Sequence, residues 1–370
     1  MKHTVKLRNH SMIANDRASS NVKPSARRKF FALIASAAIG TGIAVPALAA
    51  TQLTGAGSTF VNPFFSSAFY EYTKAHPEVQ VNYQSIGSGG GIQQFTAKTV
   101  DFGASDVPMN ADELRRAEAG GGAVIQFPTT LGSEAITFNL PMVIRGGLHM
   151  TREVLAEIYL GKITKWNDPK LAKLNDGVNL PDTPIVVVHR SDASGTTYIF
   201  TDFLSHVSSE WKSKVGTGKG VEWPAASSVG GKGNEGVAGQ VRQTPGAIGY
   251  VELAYAIENH MQQAMLENKA GKWLFSTANG ARAAAANRSN ITPSDFSIVD
   301  QPGANAWPIS GFSWGMVYES PSDKGRARLV RDALVWLVTD GQPIAGRLNY
   351  VPLPAGISEY AKRQLERMKV

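Results

Sequence analysis

Short runs of β-branched residues alternate with helix-like segments along nearly the whole of this 370-residue sequence, and this alternation restricts the fold more than any other feature. Such alternation is typical of α/β proteins, in which helices connect mostly parallel strands. The predicted strands are 52–55, 79–86, 100–104, 123–139 and 247–251. The predicted helices are 59–74, 92–98, 111–119, 152–160, 327–338 and 358–368.

The first 49 residues have the pattern of an export signal. Basic residues at 27–29 precede an apolar run at 30–45, and the small residues of 47–49 form a cleavage pattern. A run of about 16 residues is shorter than the roughly 20 that span a membrane. We therefore expect cleavage between Ala49 and Ala50 and a periplasmic mature protein. The paired arginines resemble a twin-arginine signal but lack the serine or threonine directly before them, so the export route stays open.

Charge and cysteine content exclude several classes of function. The chain carries a formal net charge of +7, but the leader holds eight of its 37 basic and one of its 30 acidic residues, which leaves 29 of each. A neutral mature chain gives no support to nucleic-acid binding or to binding of an anionic membrane. The absence of cysteine excludes disulfides, thiol catalysis and thiolate metal sites. The histidines beyond the leader show no metal-ligand spacing, so we expect no metal and no cofactor.

The length of the mature chain predicts two lobes, because its roughly 320 residues exceed what one hydrophobic core usually serves. Within the long β-like stretch, residues 129–133 provide a crossing between lobes, and Trp307-Pro308 is the expected return crossing. The expected divisions are a signal peptide at 1–49, lobe I at 50–132 and 308–370, and lobe II at 133–307.

The segment HRSDASGTT, residues 189–197, joins a predicted strand to a predicted helix, because apolar residues recur at i, i+3, i+4 and i+7 from Phe200. Backbone N–H groups at such a helix start, near 194–196, and the helix dipole both favour a bound anion. Arg190 adds a permanent cation, and Asp192 can hold its guanidinium in place. The segment therefore predicts an oxyanion site.

Three loops that follow predicted strands are built from small and hydroxyl residues, namely GAGST at 55–59, GSGGG at 87–91 and GASD at 103–106. Ligands of open α/β sheets bind at the carboxyl ends of strands, where these loops are expected. Each loop alone is typical of a tight turn with a helix cap. Their recurrence, together with the Arg190 segment, predicts one shared site.

No phosphate-cofactor motif is present in the sequence. The segment GTGKG at 216–220 lacks the serine or threonine that follows the lysine of a nucleotide-binding loop, and 87–91 fails the dinucleotide-binding spacing. The glycine-rich segment 230–236 around Lys232 is predicted to be a surface turn that enters a helix. The sequence assigns no binding role to either lysine.

Asp106 stands out because a carboxylate in a dry anion site repels the anion, unless the ligand brings a proton to donate. Hydrogen phosphate carries such a proton at neutral pH, whereas sulfate does not. An ionised Asp106 can accept a hydrogen bond but not donate one, so it would select phosphate or arsenate by rejecting the unprotonated anion. The alternative is a structural role in which Asp106 caps the next turn.

Six segments together resemble the periplasmic phosphate-binding proteins of phosphate-specific ABC transporters, a substrate-binding protein family. They are LTGAGSTF (53–60), VNYQSIGSGGG (81–91), VDFGASD (100–106), IYLGKITKWND (158–168), RSDASGT (190–196) and PGAIGYVE (245–252). The resemblance implies a two-lobed periplasmic-binding-protein fold, with a mostly parallel sheet flanked by helices in each lobe and hinge crossings between the lobes. It also implies a monomeric receptor that closes on inorganic phosphate and delivers it to an inner-membrane permease with a cytoplasmic ATPase.

Carried over position by position, the resemblance implies a phosphate site without catalytic residues or metal. The implied phosphate-binding residues are Thr59, Phe60 (through its backbone), Ser88, Asp106, Arg190, Ser194, Gly195 and Thr196. Asp192 is implied to pair with Arg190. The sequence departs from the family pattern at Gly89, where serine is common, and at Ser58, where alanine is common. We expect neither residue to contact a side chain of the implied phosphate-binding set.

Rival functions stay open beside the receptor. A phosphomonoesterase would use Ser194 as its nucleophile, but the nearby His189 lies on the strand side of the loop, and no Gly-x-Ser-x-Gly elbow surrounds the serine. A receptor for sulfate or molybdate is opposed by Asp106. An adhesin or sensor on the same scaffold is neither supported nor excluded. The sequence favours a phosphate receptor with no chemistry of its own.

Overall fold

The computed structural model describes residues 50–141, 143, 147–288 and 290–370. The predicted signal peptide, 1–49, lies outside these residues, and so does the bond at which we expect cleavage. The strands of the described part are β1 (Thr51–Gly57), β2 (Val79–Ser85), β3 (Phe102–Ser105), β4 (Val124–Phe138), β5 (His149–Met150), β6 (Val186–Arg190), β7 (Ser228–Gly231), β8 (Ala247–Glu252), β9 (Gln262–Gln263), β10 (Met265–Glu267), β11 (Trp273–Leu274) and β12 (Ser310–Tyr318).

Helices connect these strands, and several of their ends follow simple capping rules. The helices are α1 (Asn62–Ala75), α2 (Ser88–Thr96), α3 (Ala111–Gly121), α4 (Arg152–Tyr159), α5 (Pro169–Leu174), α6 (Gly195–Val207), α7 (Ser209–Lys214), α8 (Gly233–Gln243), α9 (Leu253–Glu258), α10 (Ala278–Ala285), α11 (Lys324–Val338), α12 (Gln342–Arg347) and α13 (Ala355–Glu366). Asn110 and Glu113 form a capping box at the start of α3. Pro63 lies in the first turn of α1, where its missing N–H costs no helical hydrogen bond.

Nine of the described strands form one sheet in the order β2-β1-β3-β12-β4-β8-β6-β7, with β9 paired to β4. Strand β1 pairs in parallel with β2 and β3, and β6 pairs in parallel with β7 and β8. Between these two groups, β12 runs antiparallel to β3 and β4, and β4 runs antiparallel to β8. The sheet is therefore parallel on its two sides and antiparallel at its centre. Three short strands form a second sheet in the order β11-β10-β5.

Strand β4 connects the two parallel groups of strands, because its pairing partner changes along its length. Residues 124–133 pair with β12, whereas Glu134 and the residues after it pair with β8. At the change of partner, Glu134 lies opposite Glu252. The indole of Trp307 donates a hydrogen bond to the carbonyl oxygen of Glu134 at 2.8 Å, which fixes the chain just before β12 against the same point.

Aromatic side chains form the core beneath the loops at the carboxyl ends of the strands. Phe200 stacks on Tyr250 with ring centroids 4.2 Å apart, and Phe60 and Phe64 both pack against Tyr350. All five rings are fully buried, and burial of such a ring stabilises a fold by about 1.5–3 kcal/mol. Because Phe60 and Phe200 belong to the segments that follow β1 and β6, this packing fixes both segments.

The predicted strands and helices are found in the structure, with ends displaced by a few residues. Strand β12 is absent from the sequence prediction, because two glycines interrupt the β-branched pattern in SGFSWGMVY. Its antiparallel position at the centre of the sheet is likewise not predicted from the sequence. None of the helices in the described part of the chain combines the length and the apolar composition that a membrane span requires.

Candidate functional site

Three tyrosine hydroxyls hold the loop between β1 and α1 by its carbonyl oxygens. The bonds run from Tyr83, Tyr255 and Tyr350 to the carbonyl oxygens of Ser58, Thr59 and Phe60, at 2.8, 2.6 and 2.6 Å respectively. Thr59 Oγ1 accepts hydrogen bonds from the backbone N and from Nδ2 of Asn234, at 3.1 and 2.8 Å. The carbonyl oxygens of the loop are therefore occupied, and two of its N–H groups are also held, since Ser58 N donates to Ala104 O and Phe60 N donates to Ser58 Oγ, each at 3.0 Å.

Asp106 directly follows β3, and serine hydroxyls surround its carboxylate. Its Oδ1 accepts hydrogen bonds from Ser58 Oγ and Ser313 Oγ, each at 2.5 Å. Its Oδ2 accepts one from Ser88 Oγ at 3.3 Å. The β12–β4 register shifts at Ser313, and irregularities of this kind redirect a side chain next to a binding site. Two donors thus hold Oδ1, which leaves Oδ2 as the oxygen with more capacity to accept from a ligand.

The surroundings of Asp106 leave its carboxyl group mostly ionised at neutral pH, so that it can accept a hydrogen bond. The side chain is almost completely buried, and burial raises the pKa of Asp106 to about 6. The hydrogen bonds from Ser313 and Ser58 and the charge of Arg190 oppose a larger rise of this pKa. Hydroxyl donors and one nearby cation therefore keep a buried carboxylate charged.

Arg190 is the last residue of β6, and its guanidinium forms a bidentate ion pair with the carboxylate of Asp192. Its Nε and Nη2 donate to Oδ1 and Oδ2 of Asp192 at 2.7 and 2.5 Å, and Nη1 donates to Thr196 Oγ1 at 3.2 Å. Burial alone would raise the pKa of Asp192, but the hydrogen bonds and the charge of Arg190 outweigh burial and lower this pKa. Arg190 is 5 % exposed, so the site contains a buried cation whose position is set by Asp192.

Helix α6 begins against the loops that follow β2 and β3. Ser194 caps the helix, and its Oγ accepts a hydrogen bond from Thr197 N at 3.0 Å. Gly195 N donates to Ser88 Oγ at 3.1 Å. The positive end of the helix dipole therefore lies next to Asp106 and the hydroxyl of Ser88.

The structure brings all of the sequence-predicted site residues together. One connected set of hydrogen bonds, extended by Ser58, Asn234, Thr197, Tyr250, Glu252 and Tyr350, links Thr59, Phe60, Ser88, Asp106, Arg190, Asp192, Ser194, Gly195 and Thr196. Every member of the implied phosphate-binding set is buried, and Asp192 is partly exposed. These residues form a compact polar centre at the carboxyl ends of β1, β3 and β6.

Asn234 is a site residue that the sequence analysis missed. Its Nδ2 donates to Thr59 Oγ1 and, at 3.2 Å, to Thr196 Oγ1, and its Oδ1 accepts from Glu252 N at 2.9 Å. The segment 230–236 does enter a helix, but its prediction as a surface turn is wrong at Asn234, which is fully buried. The sequence does contain a signal for Asn234, namely a polar amide in the first turn of a helix that follows a glycine-rich strand end.

The expectation that Ser58 contacts no side chain of the implied phosphate-binding set is wrong. Its Oγ donates to Asp106 Oδ1 and accepts from Phe60 N at 3.0 Å.

Gly89, the second departure from the family pattern, has a steric explanation. Its N donates to Ala193 O at 2.8 Å, and a Cβ atom on Gly89 would lie 2.4 Å from Ala193 Cβ. Glycine at 89 therefore permits a close approach of two loops.

Two further buried carboxyls lie beside the site on paired strands, Glu134 in β4 and Glu252 in β8. Glu252 Oε2 accepts from Ala254 N at 2.8 Å and lies 3.0 Å from Tyr350 OH, whose proton is donated to Phe60 O. Neither carboxyl oxygen of Glu134 has a hydrogen-bond partner among the described residues. Burial, followed by the charge of Asp106, raises the pKa of Glu134 well above its usual value, and burial does the same for Glu252. Both environments favour the protonated acid.

Comparison with known protein sequences gives consistent relatives over most of the chain. A family model described as "PBP superfamily domain" matches residues 44–340. A phosphate-binding protein PstS of Xylella fastidiosa is 44 % identical over 308 residues, which cover 83 % of this chain and 82 % of the relative. A phosphate-binding protein PstS of Pasteurella multocida is 44 % identical over 317 residues, which cover 85 % and 90 %. Another, from Methanocaldococcus jannaschii, is 38 % identical over 331 residues.

Comparison with solved structures supports the fold. A high affinity periplasmic phosphate-binding protein (PfluDING) bound with phosphate superposes with a TM-score of 0.66 at 22 % identity, covering 85 % of this chain and 93 % of that chain. A phosphate-binding protein from Stenotrophomonas maltophilia gives a TM-score of 0.68 at 17 % identity, with the same coverage. The periplasmic-binding-protein fold expected from the sequence is thereby confirmed.

Proposed function

The chain belongs to the PstS family of phosphate-binding proteins, and from this premise we propose that it is an extracytoplasmic receptor that binds inorganic phosphate for import by an ABC transporter. One observation carries the proposal, namely that a buried cation, Arg190, and a buried acceptor, Asp106, lie in one polar centre. The cation and the N–H groups of α6 attract the anion. The carboxylate of Asp106 accepts the proton that hydrogen phosphate carries.

The proposed ligand shell needs no catalytic group, and the relatives are named as binding proteins rather than as enzymes. Arg190 is already paired with Asp192, so neutral dipoles must compensate much of the phosphate charge. Serine and threonine hydroxyls and backbone N–H groups provide those dipoles. The proposed phosphate-binding residues are Thr59, Phe60, Ser88, Asp106, Arg190, Ser194, Gly195 and Thr196.

The proposed lobes are residues 50–132 with 308–370, and residues 133–307. The change of partner in β4 supports this division, because pairing with β12 ends where pairing with β8 begins. Lobe I would contribute Thr59, Phe60, Ser88 and Asp106 to the site, and lobe II would contribute Arg190, Ser194, Gly195 and Thr196. Closure of the lobes around the ligand would then assemble the site and exclude water.

The cellular setting is part of the same proposal. The export pattern at 1–49 supports removal of a signal peptide between Ala49 and Ala50 and a periplasmic location. The receptor would act as a monomer and pass phosphate to an inner-membrane permease with a cytoplasmic ATPase. Its neutral mature charge gives no reason to expect a nucleic-acid partner.

The geometry opposes the rival phosphomonoesterase. Ser194 Oγ accepts the hydrogen bond that caps α6. His189 stacks on Trp223 with ring centroids 4.9 Å apart, and its Nδ1 lies 3.0 Å from Arg190 O, so its ring serves neighbours other than Ser194. Among the described residues, no group of three or more His, Asp or Glu side chains could hold a metal ion. Ser194 therefore lacks the base and the metal that phosphoester hydrolysis uses.

Isothermal titration of the exported protein with phosphate and with sulfate tests the proposal. We expect stoichiometric binding of phosphate, far weaker binding of sulfate, and a smaller radius of gyration in solution scattering when phosphate is added. Lack of phosphate binding would refute the proposed function. Hydrolysis of para-nitrophenyl phosphate that is lost in Ser194→Ala would refute the absence of catalysis.

A further inference from the structure

Lys219 and Glu113 form an ion pair in which the lysine Nζ lies 2.5 and 2.6 Å from the two carboxylate oxygens. The two side chains are 14 % and 11 % exposed. Among the ion pairs of the described residues, the Arg190–Asp192 and Arg152–Asp300 pairs are the others in which both side chains are largely shielded from solvent. Most of the other pairs include at least one strongly exposed side chain and contribute little.

The ion pair connects the two segments that carry the site. Glu113 lies in the first turn of α3, which begins shortly after Asp106, and its Oε2 also accepts the capping hydrogen bond from Asn110 N at 3.0 Å. Lys219 lies in the loop after α7, and its carbonyl oxygen accepts a hydrogen bond from Ser194 N at 2.7 Å. One partner is thus anchored beside the Asp106 loop and the other at the N-cap of α6.

The GTGKG segment at 216–220 fits no nucleotide-binding motif, but it has a structural role as the loop that carries Lys219. Its Gly218 N donates to Thr201 Oγ1 at 3.1 Å, so the loop is attached to α6. A lysine on a loop fixed to α6 can reach a carboxylate on α3 when the two lobes are in contact. Separation of the lobes would break this contact and return both charged groups to water.

We propose that Lys219 and Glu113 form a latch that holds the two lobes closed over the bound ligand and slows its release. The proposal rests on the proposed phosphate-receptor function. Neither residue belongs to the proposed ligand shell, so the latch acts through closure and not through contact with phosphate. Because the pair forms in the closed arrangement, its loss should accelerate opening and leave the entry of phosphate largely unchanged.

Lys219→Met, Glu113→Gln and the double variant test the latch. The glutamine keeps a carbonyl oxygen for the Asn110 cap, and the methionine keeps most of the apolar stem of the lysine without its charge. Each single variant should weaken phosphate binding about tenfold, because a shielded charge-assisted contact is lost. Stopped-flow displacement should show that the change lies in the dissociation rate. The double variant should bind about as well as either single variant, since both singles remove the same interaction.

Lys214→Met is the matched control, because Lys214 pairs with Glu210, a residue of the same helix, at an exposed position of α7. It should release phosphate at the parent rate. The unfolding temperature of Lys219→Met without phosphate should stay close to that of the parent, which distinguishes a latch from a general structural role.

Parent dissociation rates in Lys219→Met and Glu113→Gln would overturn the latch and leave the receptor function intact. Additive losses in the double variant would also overturn it, since additivity means that the two residues act separately. A parent protein that fails to bind phosphate would instead refute the proposed function itself.

Discussion

A Cβ atom placed on Gly195 would lie 2.6 Å from Cβ and Oδ2 of Asp106 and equally close to Ser88 Oγ. Non-bonded carbon atoms normally approach to about 3.5–4.0 Å, so a side chain at 195 cannot fit without displacing its neighbours. Gly195 begins a helix of proposed lobe II, whereas Asp106 and Ser88 belong to proposed lobe I. The glycine thus allows these two segments to approach each other closely at the centre of the site.

Gly195→Ala should weaken phosphate binding by more than about tenfold, because the added methyl group keeps the lobes apart. Alanine is a better helix former than glycine, so the free energy of unfolding without phosphate should not fall. Titration calorimetry and chemical denaturation check the two expectations. Gly239→Ala in α8 is the control, because a Cβ atom there meets nothing within 4 Å. Parent affinity in Gly195→Ala would show that the lobes do not close at this contact.

Asp106→Asn should reduce the preference for phosphate over sulfate. An amide can donate as well as accept, so the variant no longer rejects an oxyanion that lacks a proton. Competition of sulfate against phosphate, measured by calorimetry at about pH 8, is the appropriate test, because Asp106 is then ionised in the parent. If the variant rejects sulfate as strongly as the parent does, Asp106 has a capping role instead.

Arg190→Ala should weaken phosphate binding far more than Ser194→Ala does. Loss of the buried cation removes a charge-assisted contact and leaves Asp192 without its partner, at a cost of roughly 2–5 kcal/mol in binding free energy. Loss of the Ser194 hydroxyl removes a neutral hydrogen bond and a helix cap, at about 1 kcal/mol. Phosphate titration of both variants provides the comparison. Equal losses would contradict a site built around one cation.

The unliganded protein should lose stability as the pH rises from about 4 to 8. Burial raises the pKa of Asp106 from 3.8 to about 6, and raises those of Glu134 and Glu252 well above 4.5. The folded chain then binds more protons than the unfolded chain, so the stabilisation is complete below the unfolded pKa values and is lost as the pH rises through the folded ones. In the closed arrangement, Asp106 alone would account for about 3 kcal/mol of this loss, between about pH 4 and 6.

Urea denaturation of the parent and of Glu134→Gln across this pH range tests the expectation. The glutamine cannot ionise, so the variant should lose less stability between about pH 5 and 8 than the parent does. Glu118→Gln, at an exposed position of α3, should follow the parent. Parallel curves for the parent and Glu134→Gln would mean that Glu134 titrates in the folded state as it does in the unfolded chain.

The sequence predicts those parts of the fold and site that depend on local physics. Asn110 at the start of α3 is a local capping signal, and the helix begins where that signal predicts. Arg190 and Ser194 are found together because one strand-loop-helix segment contains both. The loops at 55–59 and 87–91 are recognisable because each follows a strand, and the carboxyl ends of parallel strands share one edge.

The rest depends on contacts between distant segments, which no local pattern reports. Ser313 reaches Asp106 from the far end of the chain because β12 inserts beside β3. Asn234 reaches Thr59 across the sequence in the same way. Glu134 looks like an ordinary polar residue of a strand, and its burial follows from pairing with β8 on a face that the fold covers completely.

The position of β12 also governs when the large sheet can be completed during synthesis. This strand is made after every other strand of the sheet, yet it lies between β3 and β4. Until residue 318 has left the ribosome, β3 and the first half of β4 each keep an unpaired edge. A chain whose synthesis stops before β12 would therefore carry open strand edges at the middle of the sheet, where another chain can pair.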